Sequence, residues 1–319
     1  MMNSTRREFL IHGTAATALA AAPFRALAQK NSPFKVSVIT DEISDDFDHA
    51  CSVAANDFGL GWVEIRSTWG KNIADLKADD VSRAQAVLTK YNLRVTDIAS
   101  PLFKVDWPGA PRLHPAAKSD PARAEADLKK QDDVLAACIE MAKQFKTDKI
   151  RCFDFWRLAD QAPHRAAMDD KLRAACDTAN KHGIDLVLEN EPACNTALAD
   201  EAVRVLKAVP KLNLNWDPGN AALSGELDAF PAGFNMLPKE RIHHCHVKNV
   251  VTNEAGKREW APVDKGYIDW AAQFRALKAA GYRQAVSLET HWHGGGSPEQ
   301  SSRISWAGMK KALQDSQAL

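Results

Sequence analysis

Apolar and polar positions along the chain fall into eight short apolar runs separated by longer stretches with helical spacing. The runs are Lys35–Thr40, Gly61–Arg66, Leu93–Ala99, Lys149–Phe153, Ile184–Glu189, Leu212–Asp217, Ile242–Val247 and Gln284–Glu289. Their length, flanking turn residues and β-branched content predict buried strands. Between them, Ser44–Phe58, Asp80–Tyr91, Ala122–Phe145, Pro163–His182, Ala197–Ala208, Trp270–Ala280 and Pro298–Leu313 read as helices. Gly59, His182-Gly183 and Ala280-Gly281 supply C-terminal stops. After Asp217 the pattern is broken by Gly and Pro, and only a short helical piece near Glu226–Phe234 is expected. Alternating strands and helices indicate a parallel α/β architecture. Eight units, and the lack of a G-x-G-x-x-G turn after the first strand, favour a closed (β/α)8 TIM barrel over an open sheet.

Four consecutive strands in the second half end in a carboxylate or an imidazole: Glu189, Asp217, His246 and Glu289. Side chains alternate along a strand, so the last inward residue of each lies at one mouth of a barrel, where active sites sit. A lone acid at a strand end is commonly a helix cap or a surface group, but four in order predict a shared metal site. An oxygen-rich set with one imidazole suits a hard divalent cation, Mn2+ or Mg2+ first and Co2+ or Zn2+ as alternatives. Four protein ligands leave room for two substrate oxygens. This arrangement predicts proton abstraction next to a carbonyl through a metal-stabilised enediolate, with Glu189 and Glu289 as the acid and base.

Around the mouth, Lys248, Glu64, Arg66, Asn220, His291 and Trp107 are expected substrate contacts, Lys248 having the alternative of balancing the excess negative charge. Glu64 and Arg66 have the alternative of pairing with each other. His244 reads as a packed barrel histidine below the metal rather than a ligand. Trp69 and Trp260, like Trp107, lie on mouth loops where an indole could stack on a sugar ring or anchor packing. Two long loops, from Ser100 to Asp120 and from Asn249 to Ile268, leave the same mouth; the second holds Glu254-Ala255-Gly256-Lys257 as a turn between two extended pieces.

The first stretch stands apart from this pattern. Ser4-Thr5-Arg6-Arg7-Glu8-Phe9-Leu10, an Ala-rich segment and Ala26-Leu27-Ala28 read as a twin-arginine signal peptide over residues 1–28, with the barrel as a single domain over 29–319. Export by the twin-arginine machinery to the periplasm follows as the expectation. Loss of Met1–Ala28 removes three arginines and one glutamate, shifting the formal charge from 0 to −2. Such a chain lacks the basic footprint of a nucleic-acid binder, and no later segment has the roughly 20 apolar residues of a membrane span. Six cysteines without a C-x-x-C pair are expected to be mostly buried free thiols. A homo-oligomer is compatible with the sequence.

At these residues the chain resembles the xylose isomerase-like TIM barrel superfamily of sugar phosphate isomerases and epimerases. The resemblance rests on Gly61-Trp62-Val63-Glu64-Ile65-Arg66, Leu188-Glu189-Asn190, Asp217-Pro218-Gly219-Asn220, His244-Cys245-His246-Val247-Lys248-Asn249, Gly266-Tyr267-Ile268-Asp269-Trp270 and Ser287-Leu288-Glu289. It implies a divalent metal, usually manganese, on Glu189, Asp217, His246 and Glu289, with the two glutamates as acid/base groups. Ketose 3-epimerases of the superfamily carry a His where this chain has Asn220 and an Arg where it has Thr252, so their substrate contacts do not transfer. The resemblance leaves three readings. The first is an isomerase or epimerase of a sugar or keto-sugar; the second is a lyase or hydratase acting on a 3-keto-glycoside. The third is a non-catalytic sugar-binding protein.

Overall fold

The computed structural model describes residues 32–114 and 121–319. The proposed leader lies outside these residues, as does the last part of the loop from Ser100 to Asp120. All eight expected strands are present: β1 (Lys35–Val38), β2 (Trp62–Ile65), β3 (Arg94–Ile98), β4 (Lys149–Cys152), β5 (Asp185–Glu189), β6 (Asn213–Trp216), β7 (Ile242–Val247) and β8 (Ala285–Leu288). They form one parallel sheet in the order β1-β8-β7-β6-β5-β4-β3-β2. The ends of that sheet meet through a single parallel bridge between Ile39 and Glu64, so the barrel closes with a thin seam between β1 and β2.

Alternation along each strand sorts the residues into two populations. Ile150, Cys152, Leu186, Leu188, Leu214, Trp216, Cys245, Val247, Val286 and Leu288 belong to the apolar core shared with the surrounding helices. Arg151, Asn215, His244, His246, Ser287 and the strand-end acids Glu189, Asp217 and Glu289 are equally buried and fall on the opposite, inner face. Register confirms this, because Ser37 lies level with Ser287 and Ser287 with His246 on neighbouring parallel strands. Barrel interiors are ordinarily filled with branched apolar side chains. Here the upper interior is polar, a cost that only satisfied charges or a ligand can offset.

The helices cover the outside: α1 (Phe47–Ser52), α2 (Ala78–Tyr91), α3 (Pro121–Lys129), α4 (Gln131–Phe145), α5 (Arg165–Asn180), α6 (Ala199–Ala208), α7 (Pro218–Leu223), α8 (Trp270–Ala279) and α9 (Pro298–Asp315). Two differ from expectation. The stretch expected as one helix over Ala122–Phe145 is divided at Lys130. The helix after β6 starts at once on Pro218, because Pro fits a first-turn position and the Asp217 side chain caps it by accepting from Asn220 N. The short piece expected near Glu226–Phe234 is present as a π-helical turn over Ala229–Gly233, interrupted at Phe230, that runs into a short helix over Phe234–Met236. The two extended pieces around Glu254–Lys257 pair as an antiparallel hairpin, Asn249–Thr252 with Arg258–Ala261. All six cysteines are free and buried. Among the described residues no helix is long and apolar enough to cross a membrane.

Candidate metal centre

Glu189, Asp217, His246 and Glu289 meet at the C-terminal mouth of the barrel. One ligand atom from each lies within 4.8 Å of all the others, and all four residues are buried. His246 Nδ1 faces the three carboxylates, 3.3 Å from Glu189 Oε1, 3.6 Å from Asp217 Oδ2 and 3.1 Å from Glu289 Oε2. These three oxygens are the inner oxygens of the site.

Each ligand is held by a partner on its outer side. Arg151 Nη1 donates to Glu189 Oε2 at 3.0 Å, while its other nitrogens reach the Ala99 and Ser100 carbonyls. Arg66 Nη1 donates to Glu289 Oε1 at 3.0 Å and binds Asp41 and Glu42 through Nε and Nη2. Asp217 Oδ1 is spent on the α7 cap, accepting from Asn220 N at 2.8 Å. Asn190 fixes the Asp217 backbone from both sides, accepting from its N–H and donating to its carbonyl. His246 Nε2 sits 3.0 Å from Glu64 Oε1, and the other Glu64 oxygen lies 2.9 Å from His244 Nε2. A carboxylate on the far nitrogen of an imidazole fixes which ring nitrogen faces a metal.

The electrostatics follow from this wiring. Burial alone would raise the Glu189 carboxyl, but the charges of His246 and Arg151 outweigh it and hold it at about 2. Burial of Glu289 is likewise overcome by His291, Lys248 and His246, which keep it well below the usual carboxylate range. Both glutamates are therefore ionised at neutral pH. Asp217 Oδ2 is buried and turned into the site, where its neighbours are His246 Nδ1 and the Lys248 ammonium. Three inner carboxylate oxygens around one imidazole nitrogen are a donor set that fits a hard divalent cation.

The expected substrate contacts divide. Lys248, fully buried, places Nζ 2.8 Å from Asp217 Oδ2 and 2.5 Å from Glu289 Oε2. Asn220 Nδ2 donates to Glu189 Oε1 at 3.0 Å. His291 takes a left-handed φ of 45°, which turns its ring back over the mouth. There Nδ1 meets Glu42 Oε1 at 3.0 Å and Nε2 lies 3.6 Å from Glu289 Oε1. Glu64 is neither at the mouth nor paired with Arg66. It is fully buried, one step below Arg66 on the same face of β2, with its two oxygens on His246 and His244. Arg66 is engaged by three acids. Trp107 stands edge-on against Phe155 with centroids 4.9 Å apart, a packing role, and Trp69 packs likewise on Phe47. Trp260 reaches the site, edge-on to His291 and with Lys248 Nζ 5.0 Å from its ring centre.

Sequence reasoning passed over Arg151, Asp41, Glu42 and the supporting role of Asn190. Arg151 carries a usable signal, a charged side chain between apolar neighbours inside a strand. Asp41 and Glu42 follow β1 in a short 3-10 turn, where acids are too common to stand out.

The family model for a xylose isomerase-like TIM barrel matches residues 53–312. No curated protein matches the sequence. Among solved structures, the chain is similar to the probable 3-DHS dehydratase AsbF, involved in petrobactin synthesis, from Bacillus anthracis, with 22% identity, a TM-score of 0.61 and coverage of 86% of this chain and 97% of that one. A xylose isomerase-like TIM barrel protein from Mycobacterium smegmatis in complex with magnesium shares 16% identity, with a TM-score of 0.64 over 91% and 98% of the two chains. A D-tagatose 3-epimerase-like protein shares 15%, with a TM-score of 0.63 over 89% and 98%. At these identities the structural neighbours speak for the fold alone. The family model spans most of the chain, and on that ground the chain belongs to the xylose isomerase-like TIM barrel family.

Proposed function

We propose that the protein is a divalent-metal-dependent isomerase or epimerase of a sugar or keto-sugar, which moves a proton on the carbon next to a carbonyl. The observation that carries this reading is the convergence of Glu189, Asp217, His246 and Glu289 within 4.8 Å. Those four residues would hold the ion, Mn2+ first among the candidates. When bound, the ion supplies Lewis-acid polarisation of the substrate carbonyl. Glu189 and Glu289, on strands either side of the centre, are ionised and ready to take the proton and return it. Asn220 and Arg151 steady Glu189; Arg66 and His291 steady Glu289. Trp260 and His291 form a wall against which a sugar ring can lie. Stripping metal with a chelator should abolish activity and Mn2+ should restore it; full activity in the stripped protein defeats the proposal.

A second reading is a lyase or hydratase on a 3-keto-glycoside, using the same proton abstraction but expelling or adding a group. Two observations favour it: Asn220 stands where the ketose 3-epimerases have a His, and one neighbour is a probable dehydratase. Product mass separates the two, since isomerisation conserves the substrate formula. The leader motif around Arg6-Arg7 supports action in the periplasm, to be tested by cell fractionation with and without Arg6→Lys and Arg7→Lys.

A further inference from the structure

Lys248 is fully buried, and its contacts differ in kind from those of the two arginines. Arg151 and Arg66 bind Glu189 Oε2 and Glu289 Oε1, the outer oxygens. Lys248 Nζ binds Asp217 Oδ2 and Glu289 Oε2, the oxygens that face His246 Nδ1 and that an ion would need. The side chain is also seated for this place. A Cβ on Gly219 would lie 2.6 Å from Lys248 Cγ, so the glycine in the first turn of α7 is what gives the lysine stem its path. Trp270 Nε1 donates to the Lys248 carbonyl at 3.0 Å and fixes the root of the side chain.

We propose that Lys248 is a resident counter-charge to the ligand set, which weakens the hold on a divalent ion and keeps that ion exchangeable. The inference rests on the metal-dependent reading above. Three carboxylates set against one divalent ion leave one surplus negative charge, and the ammonium offsets it. Its position also sets it against the ion, because like charges a few ångströms apart in a buried site repel strongly. The arginines orient the ligands without competing for the inner oxygens.

The test is equilibrium dialysis of Mn2+ against the full chain, Lys248→Met and Lys248→Arg at one pH. Lys248→Met is expected to bind at least about tenfold tighter, and Lys248→Arg, which keeps the charge, to stay near the parent value. An unchanged or weaker affinity in Lys248→Met overturns the inference. If Lys248→Met does not fold, Lys248→Gln takes its place: it removes the charge while keeping a polar tip for the carboxylates, and an affinity no tighter than the parent overturns the inference equally. A parent protein that takes up none of Mn2+, Mg2+, Co2+ and Zn2+ overturns the functional reading and this inference with it. Normal uptake by the parent with no gain in the variants overturns this inference alone.

Discussion

Glu289 illustrates how one side chain divides its labour. Its outer oxygen is anchored by Arg66 and approached by His291, while its inner oxygen faces His246 and Lys248. Glu289→Gln keeps the shape but removes the charge, and turnover should fall by about 10²–10⁴-fold, the range of general acid–base catalysis; steady-state kinetics with folding checked by circular dichroism measure this. Asp97 poses a different problem. It is buried in β3 and neither of its carboxylate oxygens has a hydrogen-bond partner. Burial pushes its carboxyl up to about 6 against the pull of His244, with Glu64 adding to the rise. A raised carboxyl binds its proton more tightly folded than unfolded. Its contribution is therefore favourable below about pH 4 and is lost as pH rises through about 6. Asp97→Asn should be more stable than the parent at pH 8, by on the order of 3 kcal/mol, with the gap narrowing at pH 5. Urea melts at the two pH values decide it, and a gap that widens on acidification contradicts the account.

At the level of elements, the eight strands and the order of the four ligands were legible because period-two alternation ending in a polar group is a strong local signal. The helix after β6 was not, because Pro218 and Gly219 look like breakers. Pro at a helix start and a glycine beside the Lys248 stem both have sense only once the neighbouring elements are in place. Glu64 was misjudged for a related reason. It ends its strand like the ligands do, yet the register shift between Val63 and Ile65 and the two histidines opposite draw it under the site. Tryptophans on loops gave no basis for choosing Trp260 over Trp107, since only the hairpin Asn249–Thr252 with Arg258–Ala261 decides which indole leans inward. The helix stops at Gly183 and Gly281, both with positive φ, were easier to read, whereas the Ser297 cap was passed over. Ser297 caps α9 by accepting from Gln300 N, with Pro298 in the first turn. Ser297→Ala should cost about 1 kcal/mol, seen as a lower urea midpoint with unchanged slope.

For the whole molecule, a ligand set assembled from four strands couples ion binding to folding. An ion that binds only the folded barrel adds about 2.7 kcal/mol at 100 times its Kd. Mn2+ should therefore raise Tm, a chelator should reverse the rise, and Asp217→Asn should blunt it; an indifferent Tm speaks against a shared centre. The barrel also has a weak place. β1 and β2 share one bridge, whereas β1 pairs with β8 along its whole length and β2 with β3 through a ladder interrupted by one register shift. Arg66 at the end of β2 spans this place to Asp41 and Glu42 after β1 and to Glu289 after β8. The cylinder is thus fastened by a guanidinium where backbone pairing runs out. Deuterium should enter the amides flanking that join before those of β5 and β6. Arg66→Met should hasten the entry there and leave the far wall of the cylinder untouched, which would make the catalytic rim and the hinge of the fold one and the same piece of chemistry.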